Sequence, residues 1–218
     1  MRLYKETVET PSKDYSGIGI LLSNVLAIVY ALIAGWDLGA MMGVYWVQSV
    51  IIGFFHFFRI LLLKSFSTEG FTSNGQRVPE TSAGKRSTAF FFAVHYGFFH
   101  FGYAIFLIVL AVEGEGNPVA GLGAGFVWFL LSVLGFLFGH GYSFYQNVKA
   151  DLTGRPNLGT MMFLPYARVI PMHLMILLGS QMGSGLASLL LFSGLKTGAD
   201  YLMHIVEHRF LQKKAKTP

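Results

Sequence analysis

Six separate stretches of this chain are apolar over nearly the length needed to cross a lipid bilayer, and no motif limits its fold as tightly. A hydrocarbon core of about 30 Å requires about 20 predominantly apolar helical residues. Residues 16–35, 38–63, 88–112, 123–147, 161–181 and 185–208 meet that requirement. Composition agrees: 53% of the 218 residues are hydrophobic and 12% charged, where a soluble domain carries about a quarter charged. The sequence thus predicts an all-α, polytopic membrane protein, a six-transmembrane-helix bundle. A polar segment (1–15) precedes the helical domain (16–208), and a basic tail (209–218) follows it. The loop at 64–87 is too short and too Ser/Gly-rich to fold alone. The opening MRLYKETVETPSKDYSG lacks the basic-then-apolar pattern of a cleaved signal. With no cysteine, the chain has no disulfide framework, thiolate metal site or thiol nucleophile.

The formal charge of +5 is a topology signal. Arg2, Lys5 and Lys13 precede the first stretch, and Arg59, Lys64, Arg77, Lys85 and Arg86 surround the second loop. Lys149 and Arg155 lie in the fourth loop, and Arg209, Lys213, Lys214 and Lys216 follow the last stretch. All fall on one side, while the opposite connections hold Asp37, Glu113 and Glu115 and no Lys or Arg. The positive-inside rule then puts both termini in the cytoplasm. The basic excess suits anionic lipid at the membrane surface and not nucleic acid.

Two cations escape this sorting. Arg168 and Lys196 lie within apolar stretches, where ionisable groups usually face a bundle interior or a wet cavity. Arg168 is expected to snorkel to the cytoplasmic interface or to neutralise Asp200. Lys196, Asp200, His204 and His208 follow one another at intervals of four, so on a helix they form one polar stripe.

The seven histidines gather in the cytoplasmic half and none lies near the outer surface, with His100 and His173 deeper, near mid-bilayer, and His208 shallower. His140, Ser143 and Asn147 share a stripe, as do Tyr166, His173 and Ser180. Imidazoles four apart on a helix converge on one ion, so His204 and His208 form a chelating pair. His95 and His140, at similar depth, would complete a zinc or iron site. Asp200 could orient a ligand or act as general base on a metal-bound water. Arg168, Lys196 and His173 are its polar support, with the two cations able to stabilise an oxyanion. His56 and His100 read as interhelical hydrogen-bond partners.

The His-x-x-x-His with a nearby Asp resembles the arrangement in seven-span ceramidase and progestin-receptor-type membrane hydrolases, but the span count differs and their remaining motif has no counterpart. The ordered strings YWVQSVIIGFFHFFRILLL, FFFAVHYGFFHFGYAIF, FGHGYSFYQN, LPYARVIPMHLMILLG and LKTGADYLMHIVEH resemble an uncharacterised family of prokaryotic multi-span membrane proteins. That likeness covers nearly the whole chain and implies a prokaryotic inner-membrane location with no assigned activity.

The function expected from these features is a zinc-dependent intramembrane hydrolase acting on a lipid-like substrate, with membrane lipids as its partners. Two alternatives stand beside it: a redox protein with haem between His95 and His140, and a metal or proton carrier.

Overall fold

In the computed structural model the described residues are 16–33, 35–36, 38–112, 124–182 and 185–206, and they are mostly helical. Helix α1 spans Ser16–Ile33, α2 Leu38–Leu62, α3 Ser82–Val112 and α4 Ala124–Thr153. A short α5 (Leu158–Phe163), a 3-10 turn (Leu164–Arg168) and α6 (Val169–Met182) follow, and α7 spans Leu186–Val206. Among the described residues, three pieces are long and apolar enough to cross a membrane: α2, α3 and the composite Leu158–Leu178.

Two boundaries depart from the hydropathy pattern. Helix α3 starts at Ser82 and α4 continues to Thr153, because polar, well-hydrated turns extend a helix without showing in an apolar count. The stretch expected as one helix over 161–181 is broken. Pro165 has no amide to donate and its ring crowds the carbonyl four residues back, and LPYAR tightens into the 3-10 turn.

Helix α2 is the hub, packed against α3 on one side and α4 on another, while α1 and α6 lean on α7 and the 3-10 turn rests on α7. Gly53 allows the α2–α3 approach: a Cβ there would lie 2.5 Å from the Tyr96 ring. The outer surface is apolar. On α3, Phe90, Phe98 and Phe101 are each about two-thirds exposed or more, and contiguous apolar surface on this scale is what a lipid-facing helix presents.

The segment between α2 and α3 carries more order than its composition suggests. Strands β1 (Thr72–Ser73) and β2 (Gln76–Arg77) pair antiparallel around Asn74-Gly75. Both turn residues have positive φ, 52° and 75°, as a type I′ hairpin requires. The segment docks on the α4–α5 connection through Ser67 N to the Pro156 carbonyl (2.9 Å) and Leu158 N to the Ser67 carbonyl (2.8 Å). Glu80 is the hub of this contact, accepting from the Thr68 amide (3.1 Å), Arg77 (2.8 Å) and Arg155 (2.5 Å). First the Thr68 amide and then the Arg155 guanidinium hold its carboxyl below the usual carboxylate range.

Candidate functional site

The polar residues of α7 gather a buried charge cluster. The intervals of four that align Lys196 with Asp200 put the ammonium 2.9 Å from the carboxylate. The 3-10 turn delivers Arg168 to the other carboxylate oxygen at 2.6 Å. Of the two placements expected for Arg168, the structure has the pairing with Asp200. Helix α1 adds Asn24, whose Oδ1 accepts from Lys196 (2.7 Å) and whose Nδ2 donates to Asp200 (3.5 Å). Helix α2 adds Tyr45, which donates to the Arg168 carbonyl (3.1 Å) and sets its ring 5.3 Å from the Lys196 ammonium. The side chains of Arg168, Lys196 and Asp200 are 11%, 14% and 8% exposed, so all three charges are largely withdrawn from solvent. Among the described residues two cations share one carboxylate, a formal excess of one positive charge. Arg168 Nε is buried with no hydrogen-bond partner among the described residues.

A cavity of about 150 Å³ opens beside this cluster. Its walls come from α2 (Ile52, Phe55, His56, Arg59), α4 (His140, Ser143, Phe144, Asn147), the 3-10 turn (Leu164, Pro165, Arg168) and Met203 of α7. The α4 stripe of His140, Ser143 and Asn147 expected from the spacing is thus one wall of the cavity. That stripe runs one turn further, to Asp151, which is buried against Arg59 of α2 in an ion pair. The second Arg59–Asp151 contact, Nη2 to Oδ1, is 3.2 Å. Sequence reasoning missed this pair because Asp151 fell past the end of the apolar stretch, and the four-residue step from Asn147 was the signal available. His140 Nε2 accepts from the Gln48 amide at 3.4 Å, and the other polar atom of that amide is buried without a partner among the described residues.

The remaining histidines have separate partners. His95 is exposed, stacks on Phe91 and pairs with the Tyr166 hydroxyl at 2.8 Å. His173 is also exposed and pairs with Tyr103 at 3.1 Å. His56 donates to the Met161 carbonyl. His100 donates from Nδ1 to the Tyr96 carbonyl (2.8 Å), which leaves Nε2 of the neutral ring to accept from the Ser49 hydroxyl at 2.9 Å. Both therefore act as interhelical or intrahelical ties, as read from the sequence.

Of the expected ligands, the structure brings His140 to the cavity, while His95 is absent from the cavity lining. The His204 side chain and all of His208 lie outside the described residues. Among the described residues, no three His, Asp or Glu side chains are grouped to hold a metal ion. The expected supporting groups divide in the same way. Asp200, Arg168 and Lys196 come together, whereas His173 joins Tyr103 instead. What this arrangement offers chemically is a set of groups that suit an anion: a guanidinium, an imidazole, a hydroxyl and an amide lining one cavity.

No curated protein and no solved structure matches the chain. Residues 7–217 match the family of unknown function DUF6498, and the chain belongs to that family.

Proposed function

We propose that this is a six-span integral membrane protein of the prokaryotic inner membrane, with both termini cytoplasmic, that binds the acidic group of a lipid-like ligand in the cavity beside Arg168. The observation that carries this reading is the Arg168–Asp200–Lys196 cluster, which among the described residues has one cation more than it has carboxylates and presents Arg168 at the cavity wall. An unpaired charge in a low-dielectric interior costs several kcal/mol, and intramembrane ionisable groups of this kind mark ligand or ion sites. An incoming carboxylate or phosphate at the Arg168 side of the cavity would balance the cluster.

The test separates binding from mere structure. Buried ion clusters replaced together by apolar residues of similar volume often leave stability unchanged or improved. The variant R168M/K196M/D200L should therefore fold. Dodecyl phosphate at about 100 times its Kd should stabilise the native protein by about 2.7 kcal/mol and leave the variant unmoved. Equal stabilisation of both would refute the reading.

A second reading keeps zinc, held by His140 with His204 and His208. His140 lines this same cavity, and the sequence supplies the other two imidazoles at intervals of four beyond Asp200. Asp200, engaged by two cations, would then polarise a ligand and not serve as free base. Elemental analysis decides it: stoichiometric zinc that His140→Ala removes supports the metal, and zinc-free active protein refutes it. A Soret band in the same preparation would support haem instead.

A further inference from the structure

We propose that the ligand is an anionic amphiphile that enters sideways from the bilayer between α4 and α7, its head at Arg168 and its hydrocarbon left in the lipid. This rests on the anion-binding reading above and adds the class of ligand and its route.

Size comes first. A cavity of about 150 Å³ is comparable to one that holds a benzene ring. It has room for a carboxylate or phosphate head and a few further atoms, and none for an acyl chain, so a tail must leave through an opening.

The route follows from what closes each side. On the side of Arg59, the buried Arg59–Asp151 pair joins α2 to α4, with each residue 7% exposed. An anion arriving there meets a saturated ion pair. Helix α4 packs chiefly on α2, so that side is closed by helix packing. Among the described residues no comparable seam joins α4 to α7, although His140, Phe144 and Met203 from these two helices border the same cavity. Ser143 of α4, which lines the cavity, is exposed, and so is Leu202, next to Met203 on α7. The wall offers both chemistries, Arg168 and His140 for an acidic head and Phe144 and Met203 for the first atoms of a tail.

The experiment uses the full chain in nanodiscs of a zwitterionic lipid and dodecanoate carrying a diazirine in mid-tail. Photolabelling should be enriched on α4 and α7 over α3 by about tenfold, the ratio that 1.4 kcal/mol of preference gives. Dodecyl phosphate should compete, showing that the shared requirement is the anionic head, and dodecyltrimethylammonium should not. Arg168→Gln should abolish the enrichment. Should that variant fail to fold, Ser143→Trp, which fills the gap, must do the same. Labelling spread evenly over the lipid-facing helices, with inorganic phosphate still stabilising the protein through Arg168, would overturn the amphiphile and leave the anion site standing. If neither phosphate nor dodecanoate binding depends on Arg168, both fall together.

Discussion

Removing the carboxylate at the centre of the charge cluster should be the most damaging single change in the molecule. Asp200 neutralises Arg168 at 2.6 Å and Lys196 at 2.9 Å and also accepts from Asn24. Asp200→Leu preserves volume but leaves two buried cations facing each other with no counter-charge. Breaking a buried pair from one side costs about 3–5 kcal/mol, or about two to four decades in the unfolding equilibrium at 1.4 kcal/mol per decade. Lys196→Met should cost less, because the Arg168–Asp200 pair survives with balanced charge. It removes the charge-assisted bond from Lys196 to Asn24 Oδ1, so a loss of about 1.5–3 kcal/mol is expected, the range for a hydrogen bond to a charged group. The triple variant R168M/K196M/D200L should return to within about 1 kcal/mol of the native protein, since it leaves no charge unpaired. The assay is SDS-driven unfolding in mixed micelles, followed by the fluorescence of the three tryptophans. Asp200→Leu matching the native protein, or the triple variant proving no better than the single, would show that the charges are solvated and refute the reasoning.

Two further outcomes test the scaffold. Gly53→Ala places a methyl against Tyr96, whose hydroxyl is pinned to Ser49 at 2.7 Å, so the ring cannot simply swing away; a loss of about 1–3 kcal/mol is expected from overpacking, and SDS unfolding indistinguishable from the native protein would contradict it. Glu80, with its carboxyl lowered by the Thr68 amide and Arg155, contributes a docking that is complete above its unfolded value of 4.5 and fades as pH falls through the lower folded value. Hydrogen exchange should therefore show the Thr68 amide protected at neutral pH, exposed in Glu80→Gln at the same pH, and unprotected in the native chain once Glu80 is protonated; protection that ignores both changes would place the docking elsewhere.

Much of the scaffold was legible because burial in lipid leaves a coarse signature. Six apolar stretches coincide with helices α1 to α4, the composite α5–α6 and α7, although three of these pieces are long and apolar enough to cross a membrane by themselves. What hydropathy could not show was the polar end of a helix. Asp151 belongs to α4, and Ser82–Ser87 to α3, because backbone hydrogen bonding continues where side chains become hydrated. The Asn74-Gly75 hairpin was also legible, since that dipeptide supplies two positive-φ residues, but it was masked by the loop's Ser/Gly-rich composition. In the site, four-residue spacing on α7 and the α4 stripe were read directly, because both are properties of a single helix. Which histidine faces which neighbour depends on how helices are rotated against one another, and no single stretch encodes that. His95 went to Tyr166 and His173 to Tyr103 for this reason, while Arg168 was drawn inward by a 3-10 turn whose Pro165 was visible but whose direction was not.

If Arg168 holds an anion inside the bundle, as proposed, the 31P resonance of dodecyl phosphate in nanodiscs containing the protein must report it. A bound head between Arg168 and His140 should give a saturable shift or broadening that is lost in Arg168→Gln and kept in His173→Gln, whose ring lies outside the cavity. A resonance identical with and without the protein, or a shift untouched by Arg168→Gln, would contradict it.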